Sequence, residues 1–201
     1  AARAWGQPYG ITGNAFKPHA ACMITHPTID AALSLRAQLH AAEVDLAAVA
    51  TITCRVNPLV PRVAGHLRPT TGLEGKFSLA YGVVAGLVDG HATPDAFTDA
   101  AVARPEVVQL LSCVVVGTDP AMGEQQAEVT LRLRDGRIWR AHVPMALGNP
   151  ANPMSDTALG GKFLALAGDR LRDAPAALDG LWRFDRQPDA GAWLGSALQP
   201  S

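Results

Sequence analysis

The chain has 201 residues and a mass of 21.0 kDa, is 48% hydrophobic and 17% charged, and carries a formal net charge of −1. That composition suits one large globular domain or two small ones and excludes a disordered acidic tail or a collagen-like repeat. Lys+Arg of 17 against Asp+Glu of 18 leaves no positive excess to meet phosphates, so no nucleic-acid partner is expected. No stretch approaches the roughly 20 apolar residues of a membrane span, so no membrane partner is expected either.

The chain begins at Ala, and its first residues, AARAWGQPYG, lack the apolar core of a signal peptide. Residues 1–16 are rich in Gly, Pro and Ala and read as an irregular lead-in from a preceding domain. A helix is predicted over residues 28–42, capped by Thr28 and favoured by Asp30 in its first turn; Ile29, Ala32, Leu35, Leu39 and Ala42 form its apolar stripe. Residues 46–56 alternate, with Ala48, Ala50, Ile52, Cys54 and Val56 on one side and Thr51, Thr53 and Arg55 on the other, the mark of a half-buried strand. Residues 57–72 hold three prolines and two glycines and read as a long loop. A helix is predicted over residues 76–88, ended by Asp89-Gly90, then a short one over 95–103 and another from Pro105, leading into a buried strand at 113–116.

Two further strands, residues 126–134 and 137–143, flank Asp135-Gly136. A two-residue turn would set Leu131 opposite Arg140. A three-residue loop, Arg134-Asp135-Gly136, sets Leu131 opposite Trp139, Val129 opposite Ala141 and Ala127 opposite Val143. Only the second keeps an apolar face, which predicts a bulged hairpin with Gly136 left-handed. Ser155 then caps a helix to about residue 172, followed by helices over 176–184 and 189–198. The strands cluster rather than alternate with helices. The class is therefore α+β: a mostly antiparallel sheet of about four strands with helices packed on it over residues 17–148, and a helical tail over 149–201.

Chemistry concentrates in Lys17-Pro18-His19-Ala20-Ala21-Cys22-Met23-Ile24-Thr25-His26, just ahead of a helix start. Free N–H groups and the positive end of a helix dipole favour an anion there, and Lys and His add charge and a proton donor or acceptor. Glu74-Gly75-Lys76-Phe77-Ser78 repeats the design at the predicted opening of the next helix. From spacing alone the plainer reading is the default: a solvated loop, and a helix start with a snorkelling lysine. Gly160-Gly161-Lys162 lacks the rest of a phosphate loop. His66, His91 and His142 have no metal-ligand spacing, His40 is simply favourable at a helix end, and no metal is expected. Cys22, Cys54 and Cys113 are odd in number and far apart, which fits free thiols in a reducing compartment, the cytoplasm.

Three segments carry a resemblance. KPHAACMITHPTIDAALSLR resembles the Lys-Pro-Tyr-Pro-x-Cys-x-x-Thr-His…Asp-Ala segment of the MmgE/PrpD family. EGKFSLAYGVVAGLVDG is similar to that family's Glu-Ala-Lys-Phe-Ser-Leu-Pro-Tyr…Asp-Gly, and GNPANPMSDTALGGKF to its Gly-x-Pro-x-Asn-Pro-Met-Ser…Lys-Phe. The resemblance implies the smaller α+β domain of a lyase, truncated here, whose N-terminal helical domain or a partner chain completes the site; it also implies a homo-oligomer. It implies no cofactor. It implies metal-independent proton abstraction next to a carboxylate of a small polycarboxylate substrate, in the manner of 2-methylcitrate dehydratase, a hydro-lyase of propionate metabolism. Decarboxylation and epimerisation are further members' reactions. His26 and Lys17 would then be catalytic, and Thr25 and Lys76 would bind substrate. His19 and Ala20 stand where the family has Tyr-Pro, and Ala80 where it has Pro. The alternative is a catalytically inactive stand-alone module that binds a carboxylate or a partner.

Overall fold

The computed structural model describes residues 9–201 in two compact units, one running to Pro153 and the other Met154–Ser201. Of the expected lead-in, residues 1–8 lie outside the described residues, and residues 9–16 hold one exposed 3-10 turn, Gly10–Gly13.

The first unit is α+β. Its strands are β1 (Val49–Val56), β2 (Val114–Thr118), β3 (Ala127–Leu133) and β4 (Ile138–Val143), ordered β2-β1-β3-β4. β1 pairs antiparallel with β3, and β3 with β4, as a mostly antiparallel sheet requires; β1 and β2 run parallel. The hairpin adopts the register that preserves an apolar face: Leu131 faces Trp139, Val129 faces Ala141 and Ala127 faces Val143. Leu133 N–H donates to Arg137 O, and Gly136 sits at φ +89°, closing the three-residue loop. In β1, Ile52, Cys54 and Val56 point inward as their alternation demands. A bulge between Val49 and Thr51 shifts the phase, so Val49 rather than Ala50 enters the core.

Helices α1 (His26–Ala41) and α4 (Leu79–Asp89) pack on each other and on one side of the sheet. Ile29, Leu35 and Leu39 from α1, Leu79, Tyr81 and Leu87 from α4, and Ile52, Leu131 and Leu133 from the strands are fully enclosed. Each is worth about 1.5–3 kcal/mol of apolar burial. Close packing between α1 and α4 depends on small residues: a Cβ on Gly86 would stand 3.0 Å from the Ala32 Cβ.

Several predicted boundaries move for local reasons. α1 starts at His26, not after Thr28, because Thr28 turns its hydroxyl back to Thr25 O. Residues 57–72 are not all loop: Asn57 Oδ1 accepts from Leu59 N–H and starts α2 (Leu59–Val63). The helix predicted over 76–88 is two. α3 (Gly72–Lys76) ends where Ser78 goes extended and its Oγ accepts from Tyr81 N–H, capping α4. The piece at 95–103 divides into a 3-10 turn, Pro94–Phe97, and α5 (Asp99–Val102), ahead of α6 (Pro105–Leu111). In the second unit α7 (Asp156–Ala167) stops at Gly168, and Asp173 caps α8 (Ala174–Trp182) before α9 (Ala190–Ala197). Its only buried hydrophobic side chains are Ala174 and Ala177, while Leu164, Leu166, Trp182, Phe184 and Leu198 are exposed. No helix among the described residues is long and apolar enough to cross a membrane.

Candidate active site

The segment from Lys17 to Thr25 wraps over the start of α1 and is stitched down by its backbone. Ala20 N–H donates to Ala92 O at 2.8 Å, and Cys22 N–H donates to Lys76 O at 2.8 Å. The second bond brings the two chemically marked segments together, although Lys76 arrives as the last residue of α3 rather than at a helix opening. Its side chain is half-buried, and Lys17 is exposed. Thr25 is fully buried and spends its hydroxyl hydrogen on Cys22 O at 2.7 Å. In these contacts it closes the turn that delivers His26.

His26 is 1% exposed. Its Nε2 lies 3.3 Å from Ala21 O, so Nε2 carries the hydrogen and Nδ1 is the lone-pair nitrogen. Nδ1 is buried and has no hydrogen-bond partner. Burial lowers the pKa of this imidazole from 6.5 to about 4; the neighbouring His19 and Lys17 act in the same direction, against the Ala21 carbonyl and Asp30. His26 is thus a neutral base with an unused lone pair near neutral pH, an arrangement that costs free energy unless something uses it.

His19 stands edge-on to His26, ring centroids 5.0 Å apart. Its Nε2 donates to Asp30 Oδ1 at 2.7 Å, and Asp30 Oδ2 accepts from Leu147 N–H at 2.8 Å. Asp30 also borders an open groove of about 590 Å³ with Leu33, His142, Met145 and Asn152. This pair was not singled out from sequence: Asp30 read as a helix-dipole residue and His19 as a departure from a family motif. The i, i+4 spacing of His26 and Asp30 puts both on one helix face and could have drawn Asp30 to the site, whereas its pairing with His19, eleven residues away, leaves no such mark. His40, His66, His91 and His142 are exposed, and of these His142 lines the groove beside Asp30. No group of three or more His, Cys, Asp or Glu among the described residues could hold a metal ion. The three cysteines are free, and burial pushes the Cys54 thiol up to about 12.

Residues 19–180 match the sequence model of the MmgE/PrpD C-terminal domain. The chain is similar to cis-aconitate decarboxylase of Mus musculus, 30% identical over 171 residues, which is 82% of this chain and 35% of that protein. Against cis-aconitate decarboxylase of Homo sapiens it is 31% identical over 163 residues, 78% of this chain and 34% of that protein. The chain spans about a third of the length of the curated relatives it matches.

Proposed function

This chain belongs to the MmgE/PrpD family, through that family's C-terminal domain, and on that premise we propose that it supplies part of the active site of a lyase acting on a small polycarboxylate. One observation carries the reading: the partnerless Nδ1 of His26, a neutral imidazole on a helix start beside a lysine-bearing segment. Lys17 and Lys76 offer positive charge for substrate carboxylates, and Thr25, buried with its hydroxyl donated to Cys22 O, serves the site by holding the turn ahead of His26. His26 is the proton-transfer group. A carboxylate-rich substrate would draw its pKa upward and let it hold a proton.

The activity in the relatives' names favours decarboxylation of cis-aconitate. There the C–C bond to a carboxylate breaks, its electron pair stays on the adjacent carbon, and a protonated acid delivers a proton to that carbon. Dehydration of 2-methylcitrate is the other chemistry this site suits: a base takes the proton next to a carboxylate, the electrons form the C=C bond, and hydroxide leaves as water after protonation. Both put transient negative charge beside a carboxylate, which fixed cations stabilise. Protein groups carry all of these steps in this reading, and the enzyme works in the cytoplasm, where the cysteines remain thiols.

The rest of the site comes from an N-terminal helical domain, in the same polypeptide or a partner chain, and the assembly is a homo-oligomer. The match takes in 35% of the mouse relative, and the second unit leaves Leu164, Leu166, Trp182, Phe184 and Leu198 uncovered. A second reading, a carboxylate- or partner-binding module without turnover, is favoured by the closed core of the first unit.

The test is a complete protein carrying this domain, assayed for CO2 release from cis-aconitate and water loss from 2-methylcitrate. Turnover of one of them, lowered about 10²–10⁴-fold in His26→Gln, is the expected result. A complete protein that binds these acids yet turns over neither, or a His26→Gln enzyme at full rate, overturns the lyase reading.

A further inference from the structure

We propose that Asp30 is a positioning residue that fixes where Lys17 presents its amine; this rests on the polycarboxylate reading for its consequence in catalysis, but not for its geometry. The two oxygens of Asp30 hold two different parts of the chain. Oδ1 accepts from His19 Nε2 at 2.7 Å, and Oδ2 accepts from Leu147 N–H at 2.8 Å. The next residue, Gly148, accepts from Phe16 N–H at 2.8 Å through its carbonyl. The result is a closed ring: Asp30, His19, Pro18, Lys17, Phe16, Gly148, Leu147 and back to Asp30. His19 is 7% exposed and Gly148 is buried, so the ring is shielded from competing water at two of its links. Lys17 is its exposed cationic member.

The ring tolerates little slack. Gly148 takes φ +85°, and a Cβ there would stand 1.9 Å from Phe16 O and 3.1 Å from Pro18 Cδ. Both neighbours of Lys17 are therefore held: Phe16 against Gly148, and Pro18 between that contact and His19. A backbone fixed on both sides of a lysine removes its main-chain freedom, which cuts the ordering cost of gripping an anion. Removing the Asp30 carboxylate opens the ring at two points at once.

Two measurements decide this. The first is amide hydrogen exchange in the 201-residue chain, comparing Asp30→Ala and the gentler Asp30→Asn with the parent. The telling amide is Phe16, which bonds to Gly148 and not to Asp30. Its exchange should rise about tenfold or more in Asp30→Ala while Ile52 and Leu131 in the sheet keep their protection. If Asp30→Ala loses sheet protection, Asp30→Asn decides by the same criterion. Unchanged protection at Phe16 with the sheet intact overturns the proposal, whatever the enzyme does. The second is a double-mutant cycle in the complete enzyme with Lys17→Ala and Asp30→Asn. A shared role predicts that each single variant raises KM more than it lowers kcat, and that the double variant is no worse than Lys17→Ala alone. Losses that multiply independently overturn it. Absence of any polycarboxylate turnover would remove the lyase reading and leave the exchange result to judge the ring by itself.

Discussion

Acidification should destabilise the first unit through His26. The folded imidazole is neutral down to about 4, whereas in the unfolded chain it protonates at its ordinary value of 6.5. Between those values the unfolded state binds more protons, so stability rises with pH. His26's contribution is complete above 6.5, declines as pH falls, and is gone below the folded value. The separation corresponds to about 3 kcal/mol in total, of which about 2 kcal/mol is lost by roughly pH 5. Carboxylates elsewhere also respond to acid, so the informative quantity is a difference between proteins. His26→Gln keeps a donor for the Ala21 carbonyl and cannot titrate. Urea unfolding, followed at the Ile52 and Leu131 amides so that the first unit is read by itself, would be compared at about pH 7 and about pH 5. The parent should lose about 2 kcal/mol more than His26→Gln over that interval. Equal losses would refute the claim that His26 is held neutral by burial.

Two glycines offer a contrast. Gly136→Ala meets open space at φ +89° and should cost only the left-handed strain, about 1 kcal/mol. Gly148→Ala adds a backbone collision at 1.9 Å and should cost about 3 kcal/mol or more, with the sheet-amide midpoint in urea as the measure; equal costs would show that Phe16 does not approach Gly148. Alkylation near neutral pH should modify the half-buried Cys22 and Cys113 and spare Cys54, whose thiol is sealed and pushed up to about 12. Rapid labelling of Cys54 without denaturant would mean the core against the inner face of β1 opens.

How far the sequence could be read varied with the distance of the forces involved. The hairpin register followed from neighbours alone, since only one loop length keeps Leu131, Val129 and Ala127 facing apolar partners. Inward residues of β1 followed from alternation, except where the bulge at Ala50 moved Val49 into the core to align with Leu133. The parallel pairing of β1 with β2 left no local mark, because the partners of Ile52 and Val56 are Val114 and Thr118, far along the chain. At the site, residue types and motif order marked the Lys17 and Lys76 segments, and the bond from Cys22 to the Lys76 carbonyl joins them. The end of α3 at Lys76 was hidden by a competition between continuing a helix and capping a new one, which Ser78 decides. The Asp30 ring was hidden for a different reason: it links Phe16, Asp30 and Gly148, and no window along the chain contains all three.

Strand β1 lies between two partners that are both made after it, and that order governs how the chain can be produced. As synthesis passes Leu111, Val49–Val56 has neither β2 nor β3 beside it, so both of its edges are open to any sticky neighbour. Protection in that interval falls to the α1–α4 helix pair, whose contacts are already available to the emerging polypeptide. Ribosome-stalled chains ending before Ala127 should accordingly need holdase chaperones, and chains released after Val143 should not.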